Sequence, residues 1–276
     1  VNSEQSSIST DDCSLFTAYL LCLSATYLLN QLNHHFYSDH ALAFAERRRT
    51  LQPGAQRIVA RIPSGARVLD VGCGDGKVWP ALGGRAALYC GVDGSEELLQ
   101  KAEARIQNSE IRSQTSEDNS LTSNPPIFFH ADLTDPAWAN LLPPEPFTHI
   151  LAFAVLHHIP GYATRLRLIR ELAARLAPGG VCVMSNWQFT RRAKLREHIR
   201  PWSTLNLTAA EVEPGDYLLA WERKGKPGLR YVHLLDEAEA QRLAADAGLL
   251  ITEIFQADGV THDLTDYVEM RRKDEG

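Results

Sequence analysis

Residues 68–76 read Val-Leu-Asp-Val-Gly-Cys-Gly-Asp-Gly, an apolar run that passes straight into glycines at alternate positions. Glycines at the end of a strand let the backbone turn tightly and let a ligand approach where a Cβ would clash. A dinucleotide site needs G-x-G-x-x-G, so that a pyrophosphate meets a helix N-terminus. Counted from Gly72 the third glycine falls on Lys77, and counted from Gly74 on Trp79. Both registers fail. The loop Gly72, Gly74, Gly76, with Asp70 two residues ahead of it, suits a ligand with an amino-acid tail and no pyrophosphate. A second acid, Asp93 in Gly91-Val92-Asp93-Gly94-Ser95, follows at the end of the next apolar run, where a carboxylate can accept both hydroxyls of a ribose. A third, Asp132 in His130-Ala131-Asp132-Leu133, is placed to accept from an adenine amino group. Any one of these acids alone reads equally well as a helix cap. The three together with the loop offer partners for an amino-acid tail, a ribose and an adenine, the parts of S-adenosylmethionine.

The elements that must position these residues alternate from Arg57 onward. Strand-like runs are Arg67–Val71, Ala87–Val92, Ile127–Ala131, His149–Ala154 and Val181–Ser185. Between them, Ser95–Ile106 places Leu98, Leu99, Ala102 and Ile106 on one helical face, with Ser95 as cap and Glu96 and Glu97 at the positive end of the dipole. Tyr162–Leu176 repeats Leu166, Ile169, Leu172, Ala173 and Leu176 at helical spacing, and Pro178-Gly179-Gly180 stops it. Repeated strand–helix units with buried strands predict an α/β, doubly wound parallel sheet covered on both faces. Gln107–Pro126 is polar and reads as a surface loop. After the fifth strand, Gln188–Leu235 holds a basic helix-like piece (Arg191, Arg192, Lys194, Arg196, Arg200). It then reads as a β-hairpin of Asp216–Glu222 and Leu229–Leu235 about Lys224-Gly225-Lys226-Pro227-Gly228. Asp236 and Glu239 predict a capping box for a helix ending at Gly248, and Leu249–Gln256 and Asp266–Arg271 predict two final strands. The resulting division is a disordered tail (1–14), N-terminal helices or lid (15–56), a core (57–187), an insertion with the hairpin (188–235) and a C-terminal helix and strands (236–276).

Composition narrows the partners. In 276 residues, 44% hydrophobic, 28 Lys and Arg stand against 34 Asp and Glu, a formal charge of −6. That balance argues against attachment mainly through phosphate neutralisation, and DNA is not an expected partner. Five cysteines include no Cys-x-x-Cys pair and leave an odd one. Neither a disulfide framework nor a zinc knuckle fits, no metal site is expected, and the reducing cytoplasm is the expected location. The apolar stretch Leu15–Leu29 is short for a membrane span and is preceded by Glu4, Asp11 and Asp12 rather than by cations. A packed or amphipathic helix is expected there, and neither an anchor nor a signal peptide.

As a set, the loop and the acids resemble the class I S-adenosylmethionine-dependent methyltransferases, over about residues 57–187 and the C-terminal strands. The resemblance implies a Rossmann-like, doubly wound seven-stranded sheet whose last strand is antiparallel. It also implies that Asp70, Gly72, Gly74, Gly76, Asp93 and Asp132, with Leu133 and Ala154, carry the cofactor. Phe147–Ile159 looks like that family's fourth strand and the following turn, and Leu176-Ala177-Pro178-Gly179-Gly180 like the turn before its fifth. His157 and His158 follow the fourth strand. Either is a candidate to orient a substrate or act as a base, or simply to fix the loop.

Outside the core the chain is similar to the wobble-uridine tRNA methyltransferases that esterify a 5-carboxymethyl group, and to their bacterial relatives. Tyr37, Phe44, Arg48 and Pro53 match that branch's segment before the core. Asn186-Trp187-Gln188 stands where it has a Trp-containing segment. Gly215-Asp216-Tyr217-Leu218-Leu219-Ala220-Trp221 and Arg230-Tyr231-Val232-His233 resemble its hairpin. A carboxylate nucleophile needs no base, only cations and donors to hold it, and Arg48, His157, Arg230 and His233 are candidates, with Tyr37, Asn186 and Trp187 beside the substrate. Residues 188–230 carry nine Lys and Arg against five acids, a docking surface or else a solvated helix and turn. Two departures stand out: Glu222 follows Trp221 where the branch has His, and Gln256-Ala257-Asp258-Gly259 lacks its Asn-Trp. The readings are therefore a tRNA-modifying methyltransferase, in some eukaryotic relatives dependent on an activating partner subunit; a small-molecule O-, N- or C-methyltransferase with a lidded pocket; and a non-catalytic cofactor-binding module.

Overall fold

The computed structural model describes residues 10–45, 50–113, 124–223 and 225–273, with the backbone alone for 10–24, 44–45, 108–113 and 223. α1 (Thr10–Ala45) and α2 (Pro53–Ala60) precede β1 (Ala66–Val71), α3 (Val78–Leu82), β2 (Ala86–Asp93), α4 (Glu96–Ser113), β3 (Ile127–His130), β4 (Phe147–Phe153), α5 (Tyr162–Arg175) and β5 (Leu176–Trp187). Next come α6 (Ala193–Arg196), β6 (Ile199–Arg200), β7 (Asp216–Arg223), β8 (Lys226–His233), α7 (Glu237–Asp246), β9 (Leu249–Ala257) and β10 (Thr265–Arg272). Seven strands form one sheet in the order β3-β2-β1-β4-β5-β10-β9. β1 to β5 pair in parallel, and β10 runs antiparallel to both its neighbours.

Burial on both faces explains the near-continuous apolar strands. Val68, Leu151 and Val183 pack with Ile58, Val59, Val78 and Leu82 of α2 and α3. Their strand neighbours Leu69, Ile150 and Met184 face the other way, onto Ile169 and Leu172 of α5 and Leu243 of α7. Each such aliphatic side chain contributes about 1.5–3 kcal/mol on burial. The chain moves outward from β1 to β2 and β3, then returns to β4 on the other side. The connections leave β1 and β4 in opposite directions, which opens a crevice at the carboxyl ends of these strands.

Several local expectations change. α4 continues to Ser113, so residues 107–113, read as loop, are helical; Gln107, Glu110 and Arg112 are good helix formers and no Gly or Pro intervenes. Residues 114–123 lie outside the description. α5 ends at Arg175, ahead of its expected glycine stop, and β5 starts at Leu176, because Pro178 disfavours helical backbone at Ala177. The basic stretch is not one helix. It breaks into a 3-10 turn (Phe189–Arg191), the single turn α6 and the short β6, as Arg191 and Arg192 fold back to pair with Asp266 and Asp263. β6 then edges a second sheet, β6-β7-β8, built on the hairpin; Lys224 at its turn is outside the description.

At the N-terminus, helix begins at Thr10, within the tail expected to be disordered; residues 1–9 are not described. α1 takes in Leu15–Leu29 and continues to Ala45. Among the described residues no helix is long and apolar enough to cross a membrane. Arg48 and the side chain of Phe44 fall outside the description. Asp236 caps α7 by accepting from the Glu239 N–H at 2.8 Å. Glu239 does not complete the box, because its carboxylate is committed to Arg165 and His233.

Candidate functional site

The crevice deepens into a cleft of about 1300 Å³ floored by the ends of β1, β2 and β4 and roofed by α1. A single small-molecule site occupies roughly 300–1,000 Å³, so the space suits two ligands side by side. Asp70, Gly72, Gly74, Asp93, Asp132, Leu133 and Ala154 line one part of it. Gly72 has φ +66°, and a Cβ there would lie 2.5 Å from Val155 Cγ2. At Gly74, φ is +56° and a Cβ would meet no atom within 4 Å, leaving bare backbone toward the cleft. Gly76 does not line the cleft. A Cβ at Gly76 would strike Ala102 Cβ at 2.8 Å, so its role is to let α4 pack close. Ala154, a non-glycine residue at φ 59°, is held by N–H bonds to the Ser185 carbonyl (3.1 Å) and Oγ (2.9 Å).

The three acids occupy different environments. Asp70 is 2% exposed and accepts from Tyr89 OH at 2.6 Å. Burial pushes its carboxyl up to about 7, against the Tyr89 bond that lowers it and with the Asp93 charge adding to the rise. Asp93 Oδ2 accepts from Gly74 N at 2.8 Å and Oδ1 from Ser95 N at 2.9 Å. Burial raises its pKa despite those bonds. Each Asp93 oxygen keeps a lone-pair direction for a further donor such as a ribose hydroxyl. Asp132 Oδ1 accepts from Thr134 N (2.8 Å) and Oγ1 (2.7 Å), and Oδ2 bonds His34 Nε2 at 3.0 Å. Partial burial opposes ionisation there, yet the His34 and Thr134 bonds outweigh it and hold the carboxyl at about 2. A loop whose backbone is open at Gly74, flanked by carboxylates with acceptor capacity, fits a ligand with amino-acid, ribose and adenine parts.

The other part of the cleft is walled by α1, β5 and the hairpin. Tyr37, His158, Trp187 and Arg230 line it. Tyr37 OH lies 2.8 Å from His158 Nε2. Arg230, 7% exposed, sets its guanidinium 5.1 Å from the Trp187 ring and 5.6 Å from the Phe36 ring, an arrangement that favours a cation. Trp221 closes the wall against Phe36 and His40, and the exposed Glu222 stands at the rim.

Three expected substrate residues are placed elsewhere. His157, 2% exposed, packs its ring 4.1 Å from that of His158 but does not line the cleft. Asn186, 1% exposed, is on the face of β5 opposite Ser185 and Trp187, which do line it. His233 is buried between Asp216 (Nδ1–Oδ1, 2.7 Å) and Glu239 (Nε2–Oε2, 2.6 Å). Glu239 also takes Arg165 Nε at 2.9 Å, Arg165 Nη2 reaches Glu213 at 2.7 Å, and Tyr231 OH donates to Asp216 at 2.7 Å. Burial would lower the His233 pKa, but the bonds to Asp216 and Glu239 raise it on balance. This network ties the hairpin to α5 and α7. Arg48 is outside the description.

Residues of α1 that the sequence did not single out complete the roof. Asn33, 5% exposed, donates to the carbonyls of His158 (2.9 Å) and Tyr231 (3.2 Å) and accepts from Tyr231 N–H at 2.8 Å. Asn30 donates to Thr134 Oγ1 at 2.9 Å. With His34 and Tyr37 these residues follow the i, i+3, i+4, i+7 spacing of one helical face, a polar stripe in an apolar helix that was available as a signal.

A family profile described as a methyltransferase domain matches residues 44–254. A tRNA (carboxymethyluridine(34)-5-O)-methyltransferase, ALKBH8 of Mus musculus, is 27% identical over 162 residues, 58% of this chain and 20% of that protein. The Xenopus tropicalis protein of the same name is 27% identical over 173 residues, 62% and 23% of the two chains. This chain thus spans about a fifth of the length of the curated relatives it matches. In fold it is similar to a SAM-dependent methyltransferase of Methanosarcina mazei (19% identity, 81% of this chain and 98% of that one, TM-score 0.58). It is also similar to magnesium protoporphyrin IX methyltransferase of Synechocystis PCC 6803 with bound SAH (18%, 87% and 97%, TM-score 0.55).

Proposed function

The chain belongs to the methyltransferase-domain family and takes S-adenosylmethionine as its methyl donor, and on that premise we propose that it methylates a carboxylate oxygen. The 5-carboxymethyl group of a wobble uridine in tRNA is the acceptor to test first. Arg230 is the observation that carries the proposal. Its guanidinium is packed among aromatic rings on the cleft wall and presents a planar fork that matches a carboxylate. The names of the ALKBH8 relatives, which specify a carboxymethyluridine acceptor, support the same chemistry.

The cofactor would be held by Asp70, the Gly72–Gly74 backbone, Asp93 and Asp132, and when bound it supplies an electrophilic sulfonium methyl group. Arg230 pairs with the acceptor carboxylate and orients it. A carboxylate is already deprotonated at neutral pH, so no residue has to take a proton. Positioning therefore supplies much of the rate. Trp187 and Tyr37 give flat walls for a ring carrying the acid, and α1 restricts water.

A second reading has its own support. Arg191 and Arg192, the leading cations of the basic segment, are paired with Asp266 and Asp263, and α1 roofs the cleft. Both features favour a small free carboxylate over a polyanion. Labelled methyl transfer into total tRNA and into a metabolite extract, by wild type and by Arg230→Gln, tests the proposal. Base-labile label in tRNA that falls at least tenfold with Arg230→Gln supports esterification of the nucleoside. Base-labile label only in small molecules supports the second reading. Base-stable label, or an Arg230→Gln enzyme as active as wild type, refutes the carboxylate acceptor.

A further inference from the structure

The turn of α1 from Asn30 to His34 touches both halves of the cleft. Asn33 is stitched by three hydrogen bonds to Tyr231, beside Arg230, and to His158. One residue further, His34 bonds Asp132 Oδ2, while Asn30 bonds Thr134, which itself holds Asp132 Oδ1. A carboxylate oxygen accepts along about two lone-pair directions. The two Thr134 donors fill those of Oδ1. On Oδ2 His34 takes one, so a single acceptor position remains beside the imidazole. Both His34 and Asp132 line the cleft, and each side chain is 38% exposed.

We propose that His34 is a positioning residue for cofactor recognition: from the roof helix it fixes the Asp132 carboxylate so that its one open lone pair meets the exocyclic amino group of adenine. The inference rests on the reading that Asp132 serves the adenine end of the cofactor. His34 keeps the carboxylate from rotating about its Cβ–Cγ bond and shields its outer oxygen from water. Because the same helical turn carries Asn33, the roof over the adenosyl end is hydrogen-bonded to the strand that bears Arg230. A purely structural contact would alter stability without altering which base is preferred.

The test measures binding by calorimetry, without turnover. Two ligands are used: S-adenosylhomocysteine, and S-inosylhomocysteine, in which the ring amino group is replaced by a carbonyl. Wild type should prefer the adenosyl ligand by at least tenfold, since the inosyl carbonyl would set an acceptor against the carboxylate where the amino group sets a donor. Asp132→Ala should abolish the preference. His34→Ala should reduce it at least fivefold, and His34→Gln, which keeps an N–H donor, should restore it to within about twofold of wild type. If Asp132→Ala keeps the preference, the placement of the adenine is wrong. If Asp132→Ala loses it but His34→Ala keeps it, the placement stands and the role given to His34 is refuted. A His34→Gln protein no better than His34→Ala also refutes it.

Discussion

Gly72 and Gly74 sit two residues apart in one loop, both in the left-handed region, yet they answer to different demands. An alanine at either position pays for a positive φ, about 1–2 kcal/mol. At Gly72 the new methyl would also lie 2.5 Å from Val155 Cγ2, inside the core where overpacking costs about 1–3 kcal/mol more. Gly72→Ala should therefore lose about 2–5 kcal/mol of stability, and Val155→Ala in the same chain should recover the overpacking part. At Gly74 the methyl meets nothing within 4 Å, so Gly74→Ala should lose only the backbone cost of about 1–2 kcal/mol. The same methyl then projects where the cofactor must meet the backbone, and affinity for S-adenosylhomocysteine should fall at least tenfold, about 1.4 kcal/mol. Urea denaturation of the apoprotein and calorimetric titration of the ligand measure the two effects separately. Gly74→Ala that binds as tightly as wild type would refute the seating of the cofactor on this loop. Equal stability losses at the two sites would refute the packing argument.

Three other substitutions probe the surroundings. Asp70→Asn should gain about 3 kcal/mol over wild type between pH 5 and pH 8 in apoprotein denaturation. The folded state holds the Asp70 proton up to about 7 while the unfolded chain releases it near 4, so wild type loses stability as pH rises through that window. His233→Gln should cost about 3–5 kcal/mol at pH 6 by leaving Asp216 without a buried cation and Glu239 with Arg165 alone. Because the His233 pKa is raised, that contribution is fully present below the unfolded value of about 6.5. It fades as pH rises through the higher folded value, so the deficit should shrink toward pH 9. Asn33→Ala strands the Tyr231 N–H and two carbonyls, and should cost about 2–4 kcal/mol in thermal or urea unfolding.

The core was legible because strand burial and helical periodicity are local signals. The strands from β1 to β5 and both hairpin strands fall where apolar runs and turn residues indicate them, apart from a few terminal residues. What failed was the assignment of neighbouring residues to one purpose. Asn186 and Trp187 are adjacent on β5, and Arg230 and His233 are three apart on β8. An odd spacing on a strand puts side chains on opposite faces, so neither pair could serve one cleft together. That rule was available for Arg230 and His233, which fell in a run read as a strand, whereas Asn186 and Trp187 lay past the expected end of the fifth strand at Ser185 and are strand only because β5 continues to Trp187. Gly76 was grouped with Gly72 and Gly74 by spacing, whereas the demand on it comes from Ala102, a long-range neighbour that no motif displays. The breaking of the basic segment likewise depends on Asp263 and Asp266, more than 70 residues away in the chain.

The residues displaced from the cleft explain how the remaining ones are held. β8 alternates between two surroundings: Tyr231 and His233 enter the ion network with Asp216, Glu239, Glu213 and Arg165, while Arg230 turns to the cleft. Arg165 is 1% exposed and satisfied by Glu239, Glu213 and the Ile159 carbonyl. A buried network of this kind adds little net stability compared with apolar packing, but it penalises any shift that separates its charges. It thereby fixes the register of the strand that presents Arg230. Asn33 grips the peptide groups of the adjacent residue from the opposite side. A guanidinium on a strand clamped in this way needs little reorganisation to meet a carboxylate, which is the condition under which positioning alone can carry methyl transfer.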